Sequence, residues 1–132
     1  MNSARVLVVD DDADMRLLMS ALLEHLGAAV STAGTPDELA ERLQQPFDLA
    51  LLDLVMPGSA YPDCVALFAA CAVQAPICLL SGSGTQTLDT ERARLDALGL
   101  RTVPPLTKPA RIDALAALLA SLQHPAEPDP GS

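Results

Sequence analysis

The apolar run Val6-Leu7-Val8-Val9 ends abruptly on Asp10-Asp11-Asp12, and that junction constrains the fold more than any other stretch of the chain. Four consecutive apolar residues, three of them β-branched, are too few for a helix and lack the alternation of a half-solvated strand. They read as a strand buried on both faces, which belongs inside a parallel sheet covered by helices. The covering helices follow from periodicity. Met15, Leu18, Met19, Leu22, Leu23 and Leu26 recur at helical spacing and stop at Gly27, a left-handed cap residue. Ala28 to Thr32 is a weaker strand, and Thr35-Pro36-Asp37-Glu38 then combines a capping box with proline at the first helical position, opening a helix through Leu39 and Leu43.

The same alternation continues to the end. Asp48 to Leu52 is a third strand running into Asp53; Met56, Pro57, Gly58 and Pro62 predict an irregular loop before a helix over Val65 to Val73. Pro76 to Leu80 is a fourth strand, closed by Ser81-Gly82-Ser83-Gly84, and Leu88 to Leu98 a helix ended by Gly99. Arg101 to Leu106 should hold a fifth strand despite Pro104 and Pro105, which a strand accepts only at an edge or near its end. After Lys108-Pro109, the series Ile112, Leu115, Ala116, Leu119 and Leu122 makes the last helix, and His124 to Ser132 is a Pro-rich tail that need not be ordered. Residues 1–123 are therefore expected to form one domain and 124–132 a tail, with no internal repeat. With 2% aromatic residues among 132, the core has to be leucine, alanine and valine.

Charge narrows the partners. Eight basic against seventeen acidic side chains leave a net charge of −9, opposite to what a phosphate backbone or an anionic membrane surface attracts. No apolar stretch is long enough to span a bilayer and no signal peptide precedes the first strand, so a cytoplasmic location is expected, without nucleic acid or membrane as partner. Cys64, Cys71 and Cys78 are odd in number, lack metal-type pairing and read as small buried apolar side chains.

In parallel α/β sheets, ligands bind beyond the carboxyl ends of the strands. Those ends carry Asp10 and Asp11, Asp53, Ser81 and Lys108. Carboxylates about 4 Å apart repel by roughly 4 kcal/mol per pair at an effective dielectric near 20, so the cluster calls for raised pKa values or a bound cation. All-oxygen ligation with room for water suits Mg²⁺, with Lys108 as a point positive charge opposite it and Ser81 as a hydroxyl donor. Such a pocket stabilises a phosphoryl group in transfer. Acids after strands are also common helix caps, Asp12 or Asp14 among them here.

The segments VLVVDDDADMR, FDLALLDLVMPG, PICLLSGSG and LTKP resemble, in order, the signatures of the receiver domain of two-component response regulators, over about residues 4 to 123. The resemblance implies a flavodoxin-like, doubly wound α/β fold with a five-stranded parallel sheet and five helices. It implies Asp53 as phosphoacceptor, taking the phosphoryl group from a phosphohistidine on a sensor histidine kinase or a histidine phosphotransfer protein. Asp11, Asp53 and the backbone carbonyl of Val55 would ligate Mg²⁺, Asp10 acting mainly through water. Lys108 would pair with Asp53 and then with the phosphoryl group, Ser81 would swing to hydrogen-bond it, and the Lys108-Pro109 bond would be cis. The output would be contact with a downstream protein, with no effector domain in this chain and no enzymatic turnover beyond self-catalysed phosphorylation and autodephosphorylation.

Several positions depart from the family pattern. Pro105 stands where the family usually carries an aromatic side chain that swings inward, so the output surface reports phosphorylation by another route or the domain serves as a phosphate relay or sink. The loop from Gly58 to Asp63-Cys64 is longer than the usual form, with Cys64 in place of a common glycine. Val55 cannot hydrogen-bond an attacking water through its side chain, which predicts a long-lived acyl phosphate. The alternatives are a phosphorylation-independent interaction module of the same fold, and a phosphatase with an aspartate nucleophile, which would want an acid where Val55 stands. A histidine phosphotransfer protein would be all helical, and His25 reads as a last-turn residue favoured by the helix dipole.

Overall fold

The strands β1 (Arg5–Val9), β2 (Ala29–Ala33), β3 (Leu49–Asp53), β4 (Ile77–Ser81) and β5 (Thr102–Thr107) form one parallel sheet in the order β2-β1-β3-β4-β5. Sequence hydrophobicity predicts the positions: every residue of β3 and β4 is buried, as is β1 apart from Arg5, whereas β2 and β5 are only partly covered and lie at the edges. The computed structural model describes residues 4–82, 86–108 and 110–123. The expectations for Ser83, Gly84, the Lys108-Pro109 peptide bond and the tail from His124 fall outside them.

Each strand is followed by a helix: α1 (Ala13–His25), α2 (Pro36–Arg42), α3 (Ala60–Ala70), α4 (Gln86–Ala97) and α5 (Ile112–Gln123). Because successive strand side chains point to opposite faces, the sheet carries two separate cores. Leu7, Val9, Leu52 and Leu79 pack under α2, α3 and α4 with Leu39, Phe68 and Leu95. Val6, Val8, Leu51 and Leu80 pack under α1 and α5 with Met19, Leu23, Leu115 and Leu119. This is the flavodoxin-like doubly wound arrangement, whose switch point, where the chain changes direction of winding, lies between β1 and β3.

Local chemistry sets the helix starts. Asp12 caps α1, its side chain accepting from the backbone N–H of Asp14 at 2.9 Å and of Met15 at 3.3 Å. At α2 the Thr35 hydroxyl accepts from Glu38 N at 3.1 Å, and the Glu38 carboxylate reaches back one residue beyond a standard capping box, to Gly34 N at 2.6 Å. The predicted loop before the third helix is too long: α3 begins at Ala60, not Val65. Pro62 falls in its first turn, where a missing N–H costs no hydrogen bond, so proline there does not prolong the loop. Of the cysteines, Cys64 and Cys78 are buried, but Cys71 is exposed because it caps the C-terminus of α3, past the covered stripe.

The two prolines of β5 sit on an edge strand and at an irregularity. Cys78 and Leu80 of β4 pair with Val103 and Leu106, so β5 carries one residue more than β4 across this step. The Cys78 thiol donates to the Pro104 carbonyl at 3.4 Å, across this irregular step. Replacing Thr35 with alanine is expected to cost about 1 kcal/mol through loss of the α2 cap, read as a lowered urea midpoint at unchanged m-value.

Candidate functional site

Strand register brings the chemistry together. Val9 pairs with Leu52, so Asp10 and Asp53 leave adjacent strands at the same level; Ser81 pairs with Thr107, so Lys108 leaves β5 one step further on. Its backbone N–H is tied to the Ser81 carbonyl at 2.8 Å. From there the Lys108 side chain reaches back across β4, and its Nζ lies 3.2 Å from Asp10 Oδ2 and 3.3 Å from Asp53 Oδ1. One ammonium group thus serves two carboxylates that are almost wholly buried, Asp10 at 0% and Asp53 at 1% exposure.

Asp11, which is exposed, completes a triad: a carboxylate oxygen from each of Asp10, Asp11 and Asp53 lies within 4.8 Å of the others. Both oxygens of Asp10 are engaged, Oδ1 by the N–H of Asp12 at 2.9 Å and Oδ2 by Lys108. Asp53 Oδ1 accepts from Val55 N at 3.1 Å as well as from Lys108, and among the described residues nothing donates to its Oδ2. A buried carboxylate oxygen without a donor is costly unless a ligand supplies the missing charge.

Burial is the main reason that the Asp53 carboxyl is pushed up to about 6; the negative charge of Asp10 adds to it, while the Val55 N–H and Lys108 pull down without winning. Burial works against the charge of Lys108 too, but the two carboxylates together outweigh it and hold its pKa above the usual lysine value. With three carboxylates to one ammonium the ionised pocket carries an excess of two negative charges. An all-oxygen donor set, one of whose members is buried with an oxygen that no described residue donates to, fits a hard divalent cation such as Mg²⁺. Asp11 and Asp53 would hold it, and it would supply neutralisation of negative charge.

Of the residues picked out in the sequence, Asp10, Asp11, Asp53 and Lys108 meet in this pocket. Ser81 is buried beside it at the end of β4, and Val55 follows Asp53 with its side chain exposed. Three contacts escaped the sequence reading: the Lys108–Asp10 pair, the Val55 N–H on Asp53, and Arg16, whose Nη1 donates to the Asp10 carbonyl at 2.7 Å. Arg16 falls within one of the signature segments, yet only the turn of α1 back over the end of β1 brings it near the acids.

The sequence model of the response regulator receiver domain matches residues 6–120, and the chain belongs to that family. Receiver domains are phosphoacceptor signalling modules, not turnover enzymes; histidine kinases phosphorylate them, and a triad of this kind is typical of their Mg²⁺ sites. The response regulator PilR of Pseudomonas aeruginosa is 30% identical over 122 residues, covering 92% of this chain and 26% of PilR. The transcriptional regulatory protein ResD of Bacillus subtilis is 44% identical over 59 residues, 44% of this chain and 25% of ResD. The chain thus spans about a quarter of the length of these relatives. Among solved structures, a response regulator from Colwellia psychrerythraea superimposes with TM-score 0.77 at 25% identity, covering 93% of this chain and 98% of that one. The chemotaxis protein CheY4 of Vibrio cholerae gives 0.75 at 27% identity, covering 92% and 99%.

A carboxyl whose pKa is raised on folding makes the native state bind its proton more tightly than the unfolded chain does. That stabilisation is complete below about pH 4 and is lost as pH rises through about 6. In metal-free buffer Asp53→Asn, which cannot ionise, is therefore expected to be more stable than wild type above pH 6, by on the order of 1 to 3 kcal/mol. The difference should shrink towards pH 4, as measured by urea unfolding at each pH.

Proposed function

We propose that Asp53 accepts a phosphoryl group from a phosphohistidine partner in a Mg²⁺-dependent reaction, and that the chain signals by protein contact. The observation that carries this reading is a buried aspartate with one oxygen held by Lys108 and the Val55 N–H and the other without a donor among the described residues, beside two further acids. That second oxygen is the nucleophile. It attacks phosphorus as the phosphorus–nitrogen bond to the partner's imidazole breaks; the imidazole, protonated at its other ring nitrogen, keeps the electron pair of that bond and leaves as the neutral ring, and Asp53 becomes an acyl phosphate. Little covalent chemistry is asked of the protein in such a transfer, so positioning and charge neutralisation suffice.

Lys108 moves its hydrogen bond from the Asp53 carboxylate to a phosphoryl oxygen, and the Ser81 hydroxyl donates to another. Asp11, Asp53 and the Val55 carbonyl would hold Mg²⁺, and Asp10, whose oxygens are engaged by Asp12 and Lys108, would act on it indirectly. The donor is a sensor histidine kinase or a histidine phosphotransfer protein in the cytoplasm, and the domain comprises residues 1–123. The added charge, about −1.5 to −2, biases the surface of α4, β5 and α5 between two states. Pro105 on that surface has no side-chain rotor, so the signal passes by another route, or the domain relays or stores phosphate.

Incubation with acetyl phosphate and MgCl₂ followed by intact mass measurement is expected to show one added phosphoryl group on wild type and none on Asp53→Asn. Wild type without an adduct means an interaction module that works unphosphorylated. Lys108→Met is expected to slow adduct formation on the order of 100-fold, as loss of one charge-stabilising donor does. With Val55 offering an attacking water no side-chain partner, the adduct on wild type is expected to outlast minutes once the donor is removed; decay within seconds contradicts that assignment.

A further inference from the structure

We propose that Arg16 is a positioning residue for the cation site and that Gly34 is the vacancy which seats it. The inference rests on the reading of Asp10, Asp11 and Asp53 as that site. The backbone of Asp10 is held on both sides: its N–H donates to the Ala33 carbonyl at the end of β2 at 3.1 Å, and its carbonyl accepts from Arg16 Nη1 at 2.7 Å. The second bond fixes the peptide plane between Asp10 and Asp11. That matters because Asp11 is the exposed member of the triad and, among the described residues, no side-chain hydrogen bond or ion pair holds its carboxylate. Its aim is set by its backbone.

The guanidinium occupies space that a side chain at position 34 would take. A Cβ built on Gly34 would overlap Arg16 Nη1, the atom bonded to Asp10, and would lie 2.8 Å from Cζ and 3.2 Å from Nη2. The Gly34 backbone is not in the left-handed region, so space and not backbone freedom explains glycine here. Nor can the loop give way easily. Gly34 N–H is held by Glu38 Oε1 at 2.6 Å, and Arg42 Nε donates to the Thr32 carbonyl at 2.9 Å, so α2 clamps the segment on which Arg16 rests. The chain of contacts runs from α2 through Gly34 and Arg16 to the backbone that presents the acids.

Arg16 has two opposed effects on a cation. Its bond to Asp10 aligns the ligands, while its own charge repels the ion, so removing it mixes both. Gly34→Ala separates them: it keeps the charge and adds one methyl group against the end of a flexible side chain, which displaces Nη1 at little cost in stability. The test is calorimetric titration of the full chain with MgCl₂ for wild type, Gly34→Ala, Arg16→Ala and the double variant. Gly34→Ala is expected to weaken Mg²⁺ binding on the order of 10-fold, as loss of an outer-shell partner does. Its melting temperature in metal-free buffer should stay within about 3 °C of wild type. In the Arg16→Ala background the same substitution should leave the affinity unchanged. Unaltered affinity in Gly34→Ala, or equal weakening in both backgrounds, overturns the role of Arg16. Wild type that binds no Mg²⁺ overturns the cation site itself, and this inference with it.

Discussion

One ammonium group shared between two buried carboxylates is the interaction on which the pocket depends. Lys108 lies at nearly equal distance from Asp10 and Asp53, and neither acid has access to bulk water that could replace it. A buried ion pair stabilises little in net terms, because desolvation consumes most of the Coulombic gain. Here the pairing is also incomplete, since a third acid stands within reach and the second oxygen of Asp53 has no donor among the described residues. An arrangement that gives up stability in this way fits a pocket that the proposed cation and phosphoryl group would complete.

The fold does the assembling with short-range means. Parallel pairing of β1 with β3 sets two acids side by side, the Asp12 cap turns the chain directly into α1, and β5 delivers Lys108 from the far side of β4. The strands entering the pocket are buried on both faces, so their ends are held by two cores and not by the loops that follow. The groups that the proposed transfer would move, Lys108 and Ser81, lie at strand ends, where a change in side-chain direction leaves the sheet intact.

Much of this was legible in the sequence, and the limits have physical reasons. The central strands are continuous apolar runs that no helix of that length could use, and the order of elements follows from them and from the capping residues at Thr35 and Gly27. The start of α3 is hidden in the sequence because Pro57, Gly58 and Pro62 read as breakers, whereas a proline in a first turn is compatible with a helix. The acids and the lysine are legible because strand ends in such sheets converge. That Lys108 would contact Asp10 as closely as Asp53 depends on register and on the reach of its side chain, which no periodicity encodes. Arg16 and Gly34 meet across two loops, so their relation is visible only in three dimensions.

The excess negative charge of the pocket has a direct thermodynamic consequence: a divalent cation that binds the native state alone must raise its stability by mass action. The decisive measurement is the melting temperature of the wild-type chain at pH 7 in increasing MgCl₂ against NaCl of matched ionic strength. The pocket as described predicts a melting temperature that climbs steadily with each tenfold step of Mg²⁺ above its dissociation constant, by several degrees over two such steps, and stays lower in NaCl. Superimposable curves in the two salts would contradict it.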